Sequence, residues 1–456
     1  MAVVASLFFP AVHLKADSSY PPKKITRQRK SYKDPHGEIV KLHPLSGHRV
    51  QRKIRRRDTA LPNISQKEED MIYTVTVNPC LDEDKYFKQS ELVGGTNRAV
   101  KSEKYPGGKG IDVSRAIHAA GSRSVATGFI GGHIGKLVQG LLAIEGIECN
   151  FIEIRAETRT NVICHMSNGR EIRINSAGPG ISGTEYQELI EKIQGFDMAS
   201  AGLVCGSVCG GMEPIHSYDQ ILSAFKQRNA QCLTFLDTEE KHTAAALDGV
   251  APPDFIKPNI YEFHRLLRVK VNPQGIAPDG VDPMTVAEEY LIEQYCSPHE
   301  SLPNAWATLT ERLGEFARRY PMVHVLLSVS RFGALTLDRD TVLHSFYCGP
   351  VEEKTTVGAG DSFLGGFAKL YVERDRRDME AALRAGVTTA VARLQGQHRE
   401  FGYIDQEKIQ EISTSNDLKF KNFVITDAAG YVERELLPCF PTRQTPSTAN
   451  APSKRA

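Results

Sequence analysis

From residue 71 onward the chain alternates short β-branched runs with helical stripes, and this alternation limits the architectures open to it. Residues 71–78 read Met-Ile-Tyr-Thr-Val-Thr-Val-Asn, as a buried strand does. Residues 126–131 repeat the pattern, and 137–144 follow with helical spacing. Beyond Ala201, strand-like 203–205, 232–236 and 255–256 are separated by helix-like 215–225 and 241–247. A helix at 306–317, a strand at 323–328 and a helix at 379–394 continue the series. Strands that alternate with helices call for a mostly parallel central sheet flanked by helices, an α/β fold. Between them, 151–154, 160–165 and 171–175 are short alternating segments of a different kind.

Within that frame, residues 355–363 read Thr-Thr-Val-Gly-Ala-Gly-Asp-Ser-Phe. Phe363, Leu364, Phe367, Leu370 and Tyr371 recur at helical spacing, so a helix starts at about Gly360. The first N–H groups of a helix have no internal partner and sit at its positive end. Gly358, Ala359 and Gly360 let an anion approach them closely, and Asp361 plants a carboxylate beside that anion hole. Phosphoryl transfer to a hydroxyl needs this pair, a base for the alcohol and fixed dipoles for the moving charge. An ordinary helix start with Asp in its first turn fits the spacing equally well.

A second glycine-rich loop lies upstream, Pro106-Gly107-Gly108-Lys109-Gly110-Ile111, followed by a helical stripe of Val113, Ala116, Ile117 and Ala120. No Gly-x-x-x-x-Gly-Lys-Ser/Thr loop is present; at Gly135-Lys136 the following residue is Leu137. Gly358-Ala359-Gly360-Asp361 and the Gly-Gly-Lys-Gly loop, in this order, resemble the two signatures of the PfkB/ribokinase family of sugar kinases.

That resemblance implies a ribokinase-like α/β core with a small β-sheet lid, ATP as phosphoryl donor and Mg2+. Asp361 would be the base, with Gly358, Ala359 and Gly360 forming the anion hole. Asn78-Pro79-Cys80-Leu81-Asp82 resembles the Asn-Pro-x-x-Asp of members that act on sugar phosphates, with Asp82 on the sugar hydroxyls; a turn-closing Asp after Pro79 is the plainer reading. Gly108 and Lys109 would approach the substrate, and Arg98 would reach its phosphate, with an exposed arginine on a lid strand as the equally open reading. Thr158-Arg159-Thr160-Asn161 resembles Thr-Arg-x-Asn, in which Arg159 would grip the phosphate already on the sugar. Ser207, after Cys205-Gly206, would serve a hydroxyl or phosphate. Lys257-Pro258-Asn259-Ile260-Tyr261-Glu262 resembles Lys-Pro-Asn-x-x-Glu, so Asn259 and Glu262 would organise Mg2+ through water; they also form a helix-capping box. Ser328 and Gly333 stand where the family meets its nucleotide.

Two positions depart from the family pattern. Asp112 replaces the usual Asn, and an ionised carboxylate accepts from hydroxyls but cannot donate and repels a phosphate dianion. Ser330 replaces a glycine of the nucleotide loop. The expected reaction is ATP plus a phosphorylated hexose, fructose 1-phosphate first, giving ADP and a bisphosphate. An unphosphorylated sugar or nucleoside acceptor and a silent scaffold are the competing readings.

The expected domains are a basic, disordered extension at 1–70, a kinase domain at 71–423 and a disordered tail at 424–456. The lid is expected from 80–105 and 150–175, and a Pro-rich acidic insertion spans 271–305. A secretory signal needs a charged start, which is absent at Met1. The start 1–14, apolar and then basic, leaves an organelle transit peptide open, against Asp17, Asp34 and Glu38, and the basic run at 52–57 reads as solvated tail, with a nuclear address or an anionic-partner patch as alternatives. The expected location is cytoplasmic. Net charge of +1 argues against nucleic acid as a partner, and no apolar run nears the roughly 18 residues of a membrane span. Nine scattered cysteines without a C-x-x-C pair suggest a reducing compartment and no zinc site. A homodimer through the lid is the expected assembly.

Overall fold

The computed structural model describes residues 71–196, 199–212, 217–268, 290–291, 305–338, 341–352, 357–374, 376, 378–396 and 403–424. It also gives two short strands, Tyr32–Lys33 and Ile39–Val40, which pair antiparallel. The chain divides into two units, 1–65 and 66–456. The rest of the basic extension, most of the acidic insertion and the tail beyond 424 lie outside the described residues.

Among the described residues, eight parallel strands make the main sheet. They are β1 (Met71–Thr76), β4 (Ser124–Gly131), β5 (Glu148–Cys149), β6 (Ile152–Ile154), β9 (Ala199–Cys205), β10 (Leu233–Asp237), β11 (Phe255–Ile256) and β12 (His324–Val325). The order is β12-β11-β10-β9-β1-β4-β5, with β6 also on β4. Neighbouring residues of one strand enter opposite cores. Leu203, Phe235 and Phe255 join Val113, Ile117, Phe363 and Phe367 on one face. Val204, Leu236 and Ile256 join Ile221, Phe225, Phe263 and Phe316 on the other. Burial on both faces is why these strands read as continuous apolar runs. Each such side chain stabilises the fold by about 1.5–3 kcal/mol.

The helices over these faces are α1 (Lys109–Ala119), α2 (Gly132–Ile144), α3 (Gly183–Gln194), α4 (Ser217–Arg228), α5 (Glu240–Leu247), α6 (Ile260–Leu266), α7 (Ala305–Arg319), α8 (Ala359–Glu373), α9 (Met379–Gln395) and α10 (Gln406–Thr414). Among the described residues no helix is long and apolar enough to cross a membrane.

The lid is a separate sheet of β2 (Cys80–Tyr86), β3 (Lys101–Gly107), β7 (Arg159–His165) and β8 (Glu171–Ile174), ordered β8-β7-β2-β3. Its outer pairs are antiparallel, and β2 runs parallel to β7. Ile152–Ile154, within the stretch assigned to the lid, pairs instead with β4 of the main sheet.

A third sheet is not anticipated by the alternation. β13 (Leu327–Ser328), β14 (Ala334–Asp338), β15 (Thr341–Tyr347) and β16 (Leu418–Val424) pair antiparallel in that order. The run 323–328, read as one strand, is cut at Leu326. Its first half extends the parallel sheet and its second half starts the antiparallel one.

Candidate active site

The candidate residues gather near the carboxyl ends of β1, β9, β10 and β11, where ligand crevices of open α/β sheets lie. Helix α8 brings the phosphoryl-side turn to them. Gly358 is the N-cap in a left-handed conformation, φ 76°, and no side chain caps the helix. A side chain there would also strike the Tyr403 hydroxyl. A Cβ on Gly360 would lie 3.4 Å from Lys257 Nζ, so an ammonium stands over the first turn. Burial raises the Asp361 carboxyl to about 6; Lys109, Lys257 and Arg393 pull it down and Asp237 pushes it up.

Lys109, first residue of α1, donates to Asp237 Oδ1 at 2.9 Å, and Lys257 Nζ lies 3.0 Å from Oδ2. Asp237 is 1% exposed and Lys257 8%, whereas Lys109 is 41% open to the pocket. Burial works against the charge on Lys109, but Asp237, then Asp361 and Glu262, hold it above the usual lysine range. Burial likewise opposes the Asp237 charge, and the two lysines keep it below the usual carboxylate range. Two ammoniums on one buried carboxylate are fixed in place beside the helix start. The sequence reading left out Asp237 and gave Lys257 no role. The available signal was an acidic residue closing a parallel strand.

On the sugar side, Asp82 Oδ1 accepts from Asn161 Nδ2 at 2.9 Å and from the Cys80 thiol at 3.2 Å. A side chain at Gly107 would collide with Asp82, which accounts for the glycine there. Gly108 has φ 116°, and its Cβ would come within 2.8 Å of Thr76, so the loop lies directly on the end of β1. Asn78 joins this edge to the next. Its Nδ2 donates to Val208 O at 3.1 Å and Ala177 O at 3.3 Å, with Ser207 Oγ at 3.5 Å. Arg159 donates to Ser176 O at 2.8 Å and Asn78 O at 3.1 Å. Arg98 is exposed in the β2–β3 loop and makes no hydrogen bond or ion pair among the described residues.

Asp112, in the first turn of α1, accepts from Arg115 Nη1 at 3.1 Å. Burial raises its carboxyl to about 8; Arg115 and Arg393 pull it down, and Asp361 and Asp82 push it up. The raised carboxyl leans toward its protonated, donor form, which weakens the repulsion expected from an ionised Asp112.

Asn259 and Glu262 form the capping box of α6. Glu262 N donates to Asn259 Oδ1 at 2.8 Å, and Asn259 N to Glu262 Oε2 at 2.9 Å. One Glu262 oxygen remains beyond the cap, and its charge is felt at Lys109. A single spare carboxylate oxygen fits a magnesium ion that keeps most of its waters. Ser328 bridges to Asn259, its N–H donating to Pro258 O at 3.1 Å. Gly333 has φ 86°, and Ser330 is left-handed at φ 46°. Ser330 thus takes a backbone conformation suited to glycine, at a cost of about 1–2 kcal/mol.

A family model described as pfkB family carbohydrate kinase matches residues 76–399. The chain is 31% identical over 326 residues to the 1-phosphofructokinase of Bacillus subtilis, covering 71% of this chain and 92% of that protein. It is 31% identical over 202 residues to the tagatose-6-phosphate kinase of Staphylococcus epidermidis, covering 44% of this chain and 64% of that one. Among solved structures, phosphofructokinase-2 of Escherichia coli in complex with potassium superposes with a TM-score of 0.62 at 23% identity, over 76% of this chain and 98% of that one, a likeness of fold.

Proposed function

This chain belongs to the pfkB family of carbohydrate kinases, phosphotransferases acting on a sugar hydroxyl, and we propose that its acceptor is a phosphorylated hexose, fructose 1-phosphate first. The observation that carries the chemistry is the Asp361 carboxyl in the first turn of a helix that no side chain caps, with Lys109 and Lys257 paired on Asp237 beside it.

Asp361 accepts the proton of the acceptor hydroxyl as its oxygen bonds to the γ-phosphorus. The bond from phosphorus to the ADP oxygen breaks, and ADP leaves with the electron pair. N–H groups of Ala359, Gly360 and Asp361 receive the charge on the transferring phosphoryl oxygens. Lys257 and Lys109 add fixed positive charge, aligned by Asp237. Asn259 and Glu262 would hold Mg2+ through water, and the ion, when bound with the nucleotide, neutralises phosphate charge. Ser328 and Gly333 border the nucleotide. Asp82 keeps one oxygen for sugar hydroxyls, since the other is taken by Asn161. Asp112 meets an acceptor hydroxyl, and Ser207 lines the same edge. Arg159 and Lys109 receive the substrate phosphate.

One observation favours a second reading. Both Arg159 Nη atoms already donate to carbonyls, so the fork could brace the Asn78 and Ser176 loops around an unphosphorylated sugar. ADP release with magnesium-ATP over fructose 1-phosphate, fructose 6-phosphate, tagatose 6-phosphate, fructose, ribose and a nucleoside separates the two. The expected result is turnover on one phosphohexose, lowered about 10²–10⁴-fold in Asp361→Ala. Turnover confined to unphosphorylated acceptors would transfer the bet to the second reading.

A further inference from the structure

Four residues that the reaction scheme leaves unused form a connected buried group behind the pocket: Arg115, Glu145, Arg393 and Tyr403. The Tyr403 ring lies between two guanidiniums, with the Arg115 and Arg393 carbons each 4.3 Å from its centroid. Tyr403 is 4% exposed and Arg393 1%. Tyr403, Arg393 and Arg115 also grip backbone around the site. The Tyr403 hydroxyl donates to Gly358 O at 3.2 Å. Arg393 donates from Nε to Val357 O at 3.0 Å and from Nη1 to Tyr403 O at 3.2 Å. Arg115 donates from Nη1 to Asp112 Oδ1 and, at 3.3 Å, to Pro106 O. Its Nε and Nη2 bind the two Glu145 oxygens at 2.7 and 2.8 Å.

Two like charges against one ring would repel in the open. Glu145 neutralises Arg115 in fork-to-fork geometry, and the negative faces of the ring attract both cations. The helices that carry the two ends are packed without slack. A Cβ on Gly365 of α8 would come within 2.8 Å of Ala116 Cβ and 3.0 Å of Val113 O on α1. Movement of one loop is therefore passed to the other.

We propose that Tyr403, clasped between Arg115 and Arg393, is a positioning residue that couples the sugar-side loop at 106–112 to the phosphoryl-side turn at 358–361. The inference rests on the phosphoryl-transfer reading for its kinetic consequence, but its mechanical part stands apart from that reading. Burial raises the Tyr403 hydroxyl well above the usual tyrosine range, so the phenol stays a neutral donor to Gly358 O throughout the working pH range. The coupling sets the distance between the acceptor and Asp361 without touching either substrate. It governs kcat more than KM, because ground-state binding groups stay in place while the attack geometry loosens.

The test uses the full chain with Tyr403→Phe, which keeps the ring, Tyr403→Leu, which removes it, and Glu145→Gln at the far end. Amide exchange is followed at 106–112 and 358–362 by mass spectrometry. Steady-state kinetics are run on the acceptor that the wild type turns over. The expected result is faster exchange in both segments for Tyr403→Leu and for Glu145→Gln. In kinetics, Tyr403→Phe loses about fivefold in kcat, the worth of one neutral hydrogen bond. Tyr403→Leu loses about 10²-fold, with both KM values within about twofold of wild type. Faster exchange confined to 358–362, or a lower melting temperature with unchanged kcat, would overturn the coupling. Wild-type silence on every acceptor would sink the proposed function instead, and the exchange data would still decide the brace.

Discussion

At the scale of single residues, the tuning of Asp361 makes the sharpest claim. Its carboxyl is raised to about 6 by burial, against three cations that favour ionisation. A general base works only when ionised, so turnover is supported above that value and lost below it. With saturating magnesium-ATP and acceptor, kcat is expected to fall about tenfold per pH unit below roughly 6 and to level off above it. A limb displaced to pH 4 or lower would mean that the cations, not burial, set the base. Asp361 and Lys109 were legible in the sequence because each lies in a short glycine-rich motif whose chemistry is local. Asp237, Arg393 and Tyr403 were not. Asp237 stands 128 positions from Lys109, and what it does depends wholly on which side chains the sheet brings to it. Asp112 was legible as a departure from the family pattern. Its ionisation depends on burial and on Arg115, Asp361 and Asp82, and of these the spacing reveals only Arg115.

Elements followed the same division between local and distant causes. The parallel strands, α8 and the capping box at Asn259 and Glu262 announce themselves through runs, periodicity and cap chemistry within a few residues. The antiparallel sheet of β13 to β16 does not, because β15 pairs with a strand more than 70 residues later. The lid shows how such distant pairing is cemented. His165 on β7 stands between Asp84 of β2, 3.4 Å away, and Glu171 of β8, 3.2 Å away, with the Tyr86 ring stacked on it at 4.6 Å. The carboxylates of Asp84, then Glu171, raise His165 to about 9 against its burial. The nearby His165 is also the main cause that lowers Glu171 to about 2. A histidine raised in the folded state stabilises fully below its unfolded value of about 6.5, and that support is lost as pH rises through about 9. Lowered Glu171 stabilises above its unfolded value of about 4.3 and is lost only as pH falls through about 2. His165→Gln is therefore expected to lower the melting temperature by a few degrees at pH 7, about 2–4 °C for each kcal/mol, with the deficit closing above pH 9. A deficit that persists unchanged at pH 10 in calorimetry would assign the effect to stacking on Tyr86 rather than to charge.

For the whole molecule, the question is which part of the chain the chemistry needs. Every residue placed in the pocket and the brace lies between Asn78 and Tyr403, inside the unit that spans 66–456. That unit holds the two cores on either face of the sheet, a lid and the antiparallel sheet. Its core has the size of an independently folding α/β domain. The unit at 1–65 carries basic runs at 23–30 and 49–57 and none of the residues assigned to the chemistry or the brace. A chain that starts at Gln66 is accordingly expected to keep kcat within about twofold and its melting temperature within roughly 2 °C, since exposed charges are screened beyond about 8–10 Å at ordinary salt and shift stability by about half a kcal/mol or less. The comparison is made by steady-state kinetics and calorimetry at low and high salt. A loss of more than tenfold in kcat would place the extension in the working enzyme. If that loss were removed by salt, it would act there through charge; if it survived salt, through packing against the kinase unit.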